Sequence, residues 1–291
     1  MGMPTDIGVV DLMLQIPDGN KRDWYKFLAG NLRDAESRDE FEFPVEYMFK
    51  DVPDDLPDDA DPVDVVLQEM DRHSIERAMI GVAWERSSAV RGLENHPDRF
   101  IGSWNIDPNR GMDGVRDLVK AYETLGIKAV TAFPAGYSPQ VAIDDKKFFP
   151  LYAKCIELDI PVFMTTGVPG PRVPMACQRT ELLDEVCWFF PELKIVMRHG
   201  AEPWDDLAVK LMLKWPNLYY STSAFSPRYY PRSIIDYANT RGADKIMYAG
   251  YFPMGLSLER IFSELPHVPL KDDVWPKFLR ENALRVLQLD G

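Results

Sequence analysis

The chain is short of the two residues that most often hold metals, with three cysteines and four histidines in 291 residues. Cys155, Cys177 and Cys187 are odd in number and lack metal-type spacing, which reads as the reduced thiols of a cytoplasmic protein. No apolar run approaches the roughly 20 residues needed to span a bilayer. The opening Met-Gly-Met-Pro-Thr-Asp has neither a basic nor an apolar stretch, so no secretory signal is expected. Gly2 begins no myristoylation motif, because Asp6 stands where Ser or Thr is needed. Positive charge is scarce too: 33 Lys and Arg face 46 Asp and Glu, a net charge of −13. Such a surface repels phosphate backbones and anionic lipid, which sets aside nucleic acid and membrane as partners.

What is present suits one large α/β barrel, a fold that takes about 250 residues. Hydrophobic residues make up 46% of the chain and aromatics 12%, enough for a full core. Short β-rich apolar stretches alternate with helical patterns throughout, as parallel βα units require. Eight strands are predicted: Ile7–Ile16, Arg77–Val82, Phe100–Ile106, Ala129–Ala135, Pro161–Gly167, Lys194–Gly200, Leu218–Ala224 and Lys245–Pro253. Helical patterns between them include Val115–Leu125, Leu151–Leu158, Glu181–Phe189 and Leu207–Trp215. Gly126 and Gly242 each follow a helical run and read as helix C-caps. Eight strands in strict alternation favour a (β/α)₈ TIM barrel over an open sheet, as a single domain over residues 1–291. Its one irregularity is an insertion after strand 1, at about residues 18–64. Aromatic, helical Trp24–Phe49 is followed there by Asp51–Asp64 (DVPDDLPDDADPVD), whose prolines and like charges predict a solvated loop. Insertions after barrel strands lie at the C-terminal face. A lid, an oligomer contact and a plain surface excursion all fit this one.

Four stretches are more specific: Asn95–Phe100 (NHPDRF), Lys194–Asp205 (KIVMRHGAEPWD) with Trp215–Tyr219 (WPNLY), Asp244–Pro253 (DKIMYAGYFP) and Glu281–Leu287 (ENALRVL). In this order they resemble the entry into strand 3, the strand 6 motif with the entry into strand 7, the strand 8 motif, and the closing helix of the amidohydrolase-related family. That family includes aminocarboxymuconate-semialdehyde decarboxylase and aromatic-acid decarboxylases.

The resemblance implies a metal site. In the family a divalent ion is held by a His-x-His pair ending strand 1, a His on strand 5, an Asp on strand 8 and usually a His on strand 6. Alternate strand residues share a face, so His-x-His aims both imidazoles into the barrel mouth. There the metal activates water or polarises a carbonyl. Aligned by its flanks, this chain has Met13 and Gln15 at the paired histidines, Thr165 at the strand 5 histidine and Tyr251 at the aspartate. Only His199, on strand 6, keeps its type. His73, His96 and His267 are too far away for a slip of one or two residues to help. Thioether, amide and hydroxyl groups with one imidazole suit no hard or borderline cation, so neither a metal nor another cofactor is expected. Asp11 shares a face with Met13 and Gln15 but lies deeper in the barrel.

His199 is the candidate general acid or base, or else a former ligand hydrogen-bonded within a packed mouth. Arg172, in the proline-rich loop Val168–Pro174 after strand 5, is the candidate clamp for a carboxylate, or else a brace for that loop. Tyr251 offers a phenol to a developing oxyanion, and Gln15 and Thr165 offer hydrogen bonds to a carbonyl or carboxylate. Arg198, by strand alternation, should turn away from His199 toward a helix acid. Glu202 and Trp204 either support the site or start the next helix. Cys177 has no activating neighbour and reads as a small buried residue. Trp215, Tyr219, Tyr220, Tyr229 and Tyr230 read as packing.

Three readings follow. One is a metal-independent hydrolase or carboxy-lyase acting on a small carboxylate or carbonyl compound, with His199 and Tyr251 catalytic and Arg172, Gln15 and Thr165 binding substrate. Another is a non-catalytic barrel serving as partner subunit or accessory factor for a metal-containing enzyme, its mouth filled by Met13, Tyr251 and Trp24–Phe49. A metallohydrolase with unusual ligands is a third. The resemblance implies a homo-oligomer, a dimer or larger.

Overall fold

The computed structural model describes residues 2–50, 52–56, 59–85 and 87–290, apart from the side chain of Ser87. Eight parallel strands follow one another in chain order: β1 (Val9–Asp11), β2 (Ile75–Val82), β3 (Phe100–Asn105), β4 (Ala129–Ala132), β5 (Val162–Thr165), β6 (Ile195–Arg198), β7 (Leu218–Ser221) and β8 (Ile246–Met247). This is an α/β architecture consistent with a TIM barrel. Every predicted strand overlaps an observed one, and most observed ladders are shorter. β8 keeps two residues of Lys245–Pro253, because Tyr248 N–H pairs with the Phe278 carbonyl instead of a strand.

The α-helices are α1 (Lys21–Trp24), α2 (Pro62–Arg72), α3 (Ser87–Asn95), α4 (Gly111–Leu125), α5 (Phe149–Glu157), α6 (Leu183–Phe189), α7 (Asp205–Lys214), α8 (Arg232–Ala238), α9 (Leu258–Glu264) and α10 (Asn282–Leu287). Those between strands cover the sheet, so β4 and β5 are buried along their whole length. α2 starts inside the expected loop Asp51–Asp64. Pro62 suits the first helical turn, and the Asp61 carboxylate accepts from the Val63 N–H at 2.9 Å. Asp51, Pro57 and Asp58 of that loop lie outside the described residues. Gly126 caps α4 in the left-handed conformation (φ +60°), as expected. α8 is capped by Asn239 and not by Gly242, whose N–H returns to the Tyr237 carbonyl. Among the described residues no helix is long and apolar enough to cross a membrane.

The first and last strands meet beyond their ladders. Leu14 forms a parallel bridge with Phe252, and the Gln15 N–H donates to the Phe252 carbonyl at 3.1 Å. Deeper down, buried Asp11 accepts from the N–H groups of Met13 (2.9 Å) and Gly250 (2.8 Å). A side chain at Gly250 would set its Cβ 2.7 Å from Asp11 Oδ2, so position 250 has no room for one. Burial raises the Asp11 pKa against those two hydrogen bonds.

The segment between β1 and α2 crosses the C-terminal ends of the strands. Asn31 donates to the Gly136 and Tyr137 carbonyls, and the Tyr47 hydroxyl donates to the Gly170 carbonyl at 2.6 Å. These bonds hold it to the loops that follow β4 and β5.

Candidate active site

A cavity of about 1340 Å³ lies at the C-terminal ends of the strands, where barrels of this kind build their sites. Each of β2 to β6 contributes to its lining, with Gly81, Asn105, Thr131, Thr165 and Arg198 among the residues they supply. Gln15, His199 and Tyr251 join them. Four of the five expected site residues therefore share one cavity.

Arg172 does not. Its guanidinium is held by Asp34 and Glu36, both at 2.7 Å, and lies over the rings of Phe41 and Tyr47. The expected substrate clamp instead ties the loop after β5 to the segment between β1 and α2. Asp34 is pulled to a pKa of about 2, where hydrogen bonds from Ser37 and Arg172 outweigh its desolvation.

The arginine that reaches the cavity from the strand ends is Arg198, which was expected to point to the helix layer. Parallel pairing sets Arg198 beside Thr165, and its Nε donates to Thr165 Oγ1 at 3.1 Å. One of its terminal nitrogens lies 3.8 Å from Met13 Sδ. Alternation then fails at the next residue, because β6 ends at Arg198 and His199 takes a left-handed backbone (φ +63°). That turn brings two consecutive side chains to the same mouth, which a regular strand forbids. Burial draws the Arg198 pKa down to about 10. Among the described residues, no carboxylate pairs with its guanidinium.

His199 is fixed by Ser223, whose Oγ accepts from the His199 N–H at 3.1 Å and lies 3.2 Å from its Nδ1. Burial first, and the Arg198 charge second, push the imidazole pKa well below 6.5. His199 is therefore neutral at pH 7, with Nε2 the nitrogen left for a substrate. Tyr251 stands edge-on to His199 (5.7 Å between ring centroids) and stacks on Phe49 at 5.4 Å. Burial raises its phenol pKa, although the Tyr25 hydroxyl and Arg198 act in the opposite sense. Gln15 is oriented from below, with its Oε1 accepting from the Gly81 N–H at 3.2 Å. A Cβ at position 81 would meet the Gln15 amide at 3.1 Å, so glycine there makes room for it.

Sequence reasoning missed Arg198, Ser223 and Tyr25. The Ser-Thr-Ser run that ends β7, at the same barrel end as the predicted site, was the available signal for Ser223. Glu202 lines the cavity with its pKa raised by burial, whereas Trp204 starts α7 beneath the Arg179 guanidinium. Cys177 is buried with its thiol pushed up to about 11. Tyr229, expected to pack, is largely exposed and lines the cavity.

The sequence profile of the amidohydrolase family matches residues 26–289. The chain belongs to this family. A comparison with curated protein sequences finds no match. Among solved structures the chain is similar to an uncharacterised TIM-barrel protein, Bb4693, from Bordetella bronchiseptica, at 23% identity and TM-score 0.73, covering 97% of this chain and 99% of that one. It is also similar to a 5-carboxyvanillate decarboxylase from Novosphingobium aromaticivorans complexed with manganese and a nitrobenzoic acid, at 15% identity and TM-score 0.69, covering 98% and 97%. A third is 2,6-dihydroxybenzoate decarboxylase from Rhizobium, at 17% identity and TM-score 0.64, covering 98% and 99%. At these identities the likeness is one of fold.

A divalent metal does not fit the residues of this amidohydrolase's mouth. Met13, Gln15, Thr165 and Tyr251 bring no imidazole or carboxylate, which leaves His199, through Nε2, as the one imidazole at the five aligned positions. The Arg198 guanidinium contacts the side chains at two of those positions, Thr165 and Met13, and its charge opposes a second cation. Among the described residues no group of three or more His, Cys, Asp or Glu gathers where it could hold a metal.

Proposed function

We propose that the cavity is an active site at which a small carboxylate- or carbonyl-bearing compound is cleaved, by hydrolysis or by loss of a carboxyl group, without a divalent metal. The observation behind this reading is the convergence of His199, Tyr251, Gln15 and Thr165 on one open cavity at the strand ends. A barrel kept only as a structural partner gains nothing from an open mouth lined with polar groups. Family membership supports amidohydrolase-type chemistry, and carboxylic acid decarboxylases among the structural neighbours support the carboxy-lyase alternative.

In hydrolysis, His199 Nε2 takes a proton from water as the water oxygen bonds to the substrate carbonyl carbon. The neutral phenol of Tyr251 and the Gln15 amide donate to the oxyanion. The carbon–heteroatom bond then breaks, and the leaving group takes the proton from His199. In carboxy-lysis, the carbon–carboxyl bond breaks, CO2 leaves, and the remaining electron pair takes a proton from solvent relayed by Tyr251. The three cysteines, Cys155, Cys177 and Cys187, are buried and unbridged, which fits the reducing environment of a cytoplasm.

The test is a His199→Asn variant assayed against carboxylate esters, lactones and aromatic acids, with CO2 release read separately from hydrolysis. Asn tolerates the left-handed backbone at this position, so the fold should persist. General acid–base groups contribute on the order of 10²–10⁴-fold, and turnover should fall by at least the lower figure. Undiminished turnover in folded His199→Asn protein refutes the assigned role.

A further inference from the structure

We propose that Arg198 makes the barrel mouth a binding site for a single carboxylate on an apolar body, held directly by the guanidinium with no divalent cation between. This deepens the active-site reading, which it needs only for the ligand to be a substrate.

Arg198 has five N–H donors, of which one meets Thr165 and another the weak acceptor Met13 Sδ. Three arginines elsewhere are each answered by acids: Arg172 by Asp34 and Glu36, Arg228 by Glu264, and Arg280 by Glu76. Arg198 has no such partner among the described residues, yet it sits inside a cavity large enough to admit one. A cation removed from water is costly unless an anion faces it, and a carboxylate can take up donors that Thr165 and Met13 leave over.

The charges around the cavity limit that anion to one negative charge. Asp18, Asp23, Glu85 and Glu202 all line its walls. Of the other lining cations, Lys50 is exposed and Arg260 is engaged by Glu264. A second carboxylate on the ligand would therefore meet like charge. Aromatic rings make up another part of the wall: Trp24, Phe27, Phe49, Phe133 and Phe225 line it. At about 1340 Å³ the space exceeds the roughly 300–1,000 Å³ usual for small-molecule sites, so the body can be larger than one ring.

The test is calorimetric titration of the intact protein with benzoate, its neutral isostere benzamide and the dianion isophthalate. Each is run in chelator and again with added manganese or zinc. Benzoate should bind in chelator, with both other probes at least about ten-fold weaker, the size of one lost hydrogen bond to a charged group. Arg198→Gln should lose about ten-fold or more for benzoate and nothing for benzamide, while Arg198→Lys recovers part of the loss. Circular dichroism and melting check that each variant folds. Binding that requires the metal, equal binding of benzamide, or an unchanged Arg198→Gln affinity overturns the proposal. An enzyme that turns over an uncharged ester but ignores benzoate would sink this inference and leave the active-site reading intact. Benzoate binding with turnover indifferent to His199→Asn would do the reverse.

Discussion

Replacing Arg198 with methionine should make the protein more stable and, at the same time, poorer at holding an anion. Methionine keeps an unbranched side chain of similar reach and removes the charge. Burial lowers the Arg198 pKa from 12.5 to about 10, and at ~1.4 kcal/mol per pKa unit this is a cost to the fold of about 3 kcal/mol. The sign follows from the direction of the shift. Arg198 is charged in both the folded and the unfolded chain below pH 10, so the cost is fully present at neutral pH. It is relieved only as pH rises from about 10 toward 12.5. Against the gain stands the lost hydrogen bond to Thr165, worth about 1 kcal/mol, and some packing. A net stabilisation of about 1–2 kcal/mol remains, which for a chain of this length raises Tm by roughly 2–4 °C. Differential scanning calorimetry at pH 7 reads that shift, and benzoate titration of the same sample should show affinity down by about ten-fold or more. A variant that melts several degrees below the wild type would mean that Arg198 is satisfied where it stands, and would refute the reasoning.

Two further outcomes follow from the site. His199 stays neutral in the fold while the unfolded imidazole protonates below pH 6.5, so stability should fall with pH below that value by up to ~1.4 kcal/mol per pH unit. Denaturant unfolding of His199→Asn should show a flatter acid limb, and an identical slope would contradict the assigned neutral state. Arg172→Ala should speed proteolytic nicking within residues 31–50 while leaving Tm within about 2 °C, since its ion pairs are washed by solvent. Unaltered nicking would deny Arg172 its bracing role.

Alternation of apolar stretches with helical patterns made the eight strands legible, because parallel strands covered on both faces leave a strong signal. Gly126 was legible as a cap for a similar local reason. Tyr251, Gln15 and Thr165 could be placed at the mouth because strand ends in this fold point there. Arg198 could not, since the argument from alternation assumes a regular strand, and the left-handed turn at His199 breaks it. Arg172 was misjudged for a different reason. A rigid proline loop says that a guanidinium is held still but not what holds it, and Asp34 and Glu36 lie more than a hundred residues away.

The position of Arg198 also constrains the order in which this barrel can change. Placing imidazoles at Met13, Gln15 and Thr165 and a carboxylate at Tyr251 would supply on paper the ligand set that the family resemblance implies. While Arg198 remains, however, it would lie against two of the new ligands and repel the ion they are meant to hold. An aspartate at position 251, installed first, would more readily form an ion pair with Arg198 than await a metal. The four substitutions therefore have little value separately or together until Arg198 is removed. That dependence sets an order for the changes: Arg198 has to go before any of the four can help hold an ion.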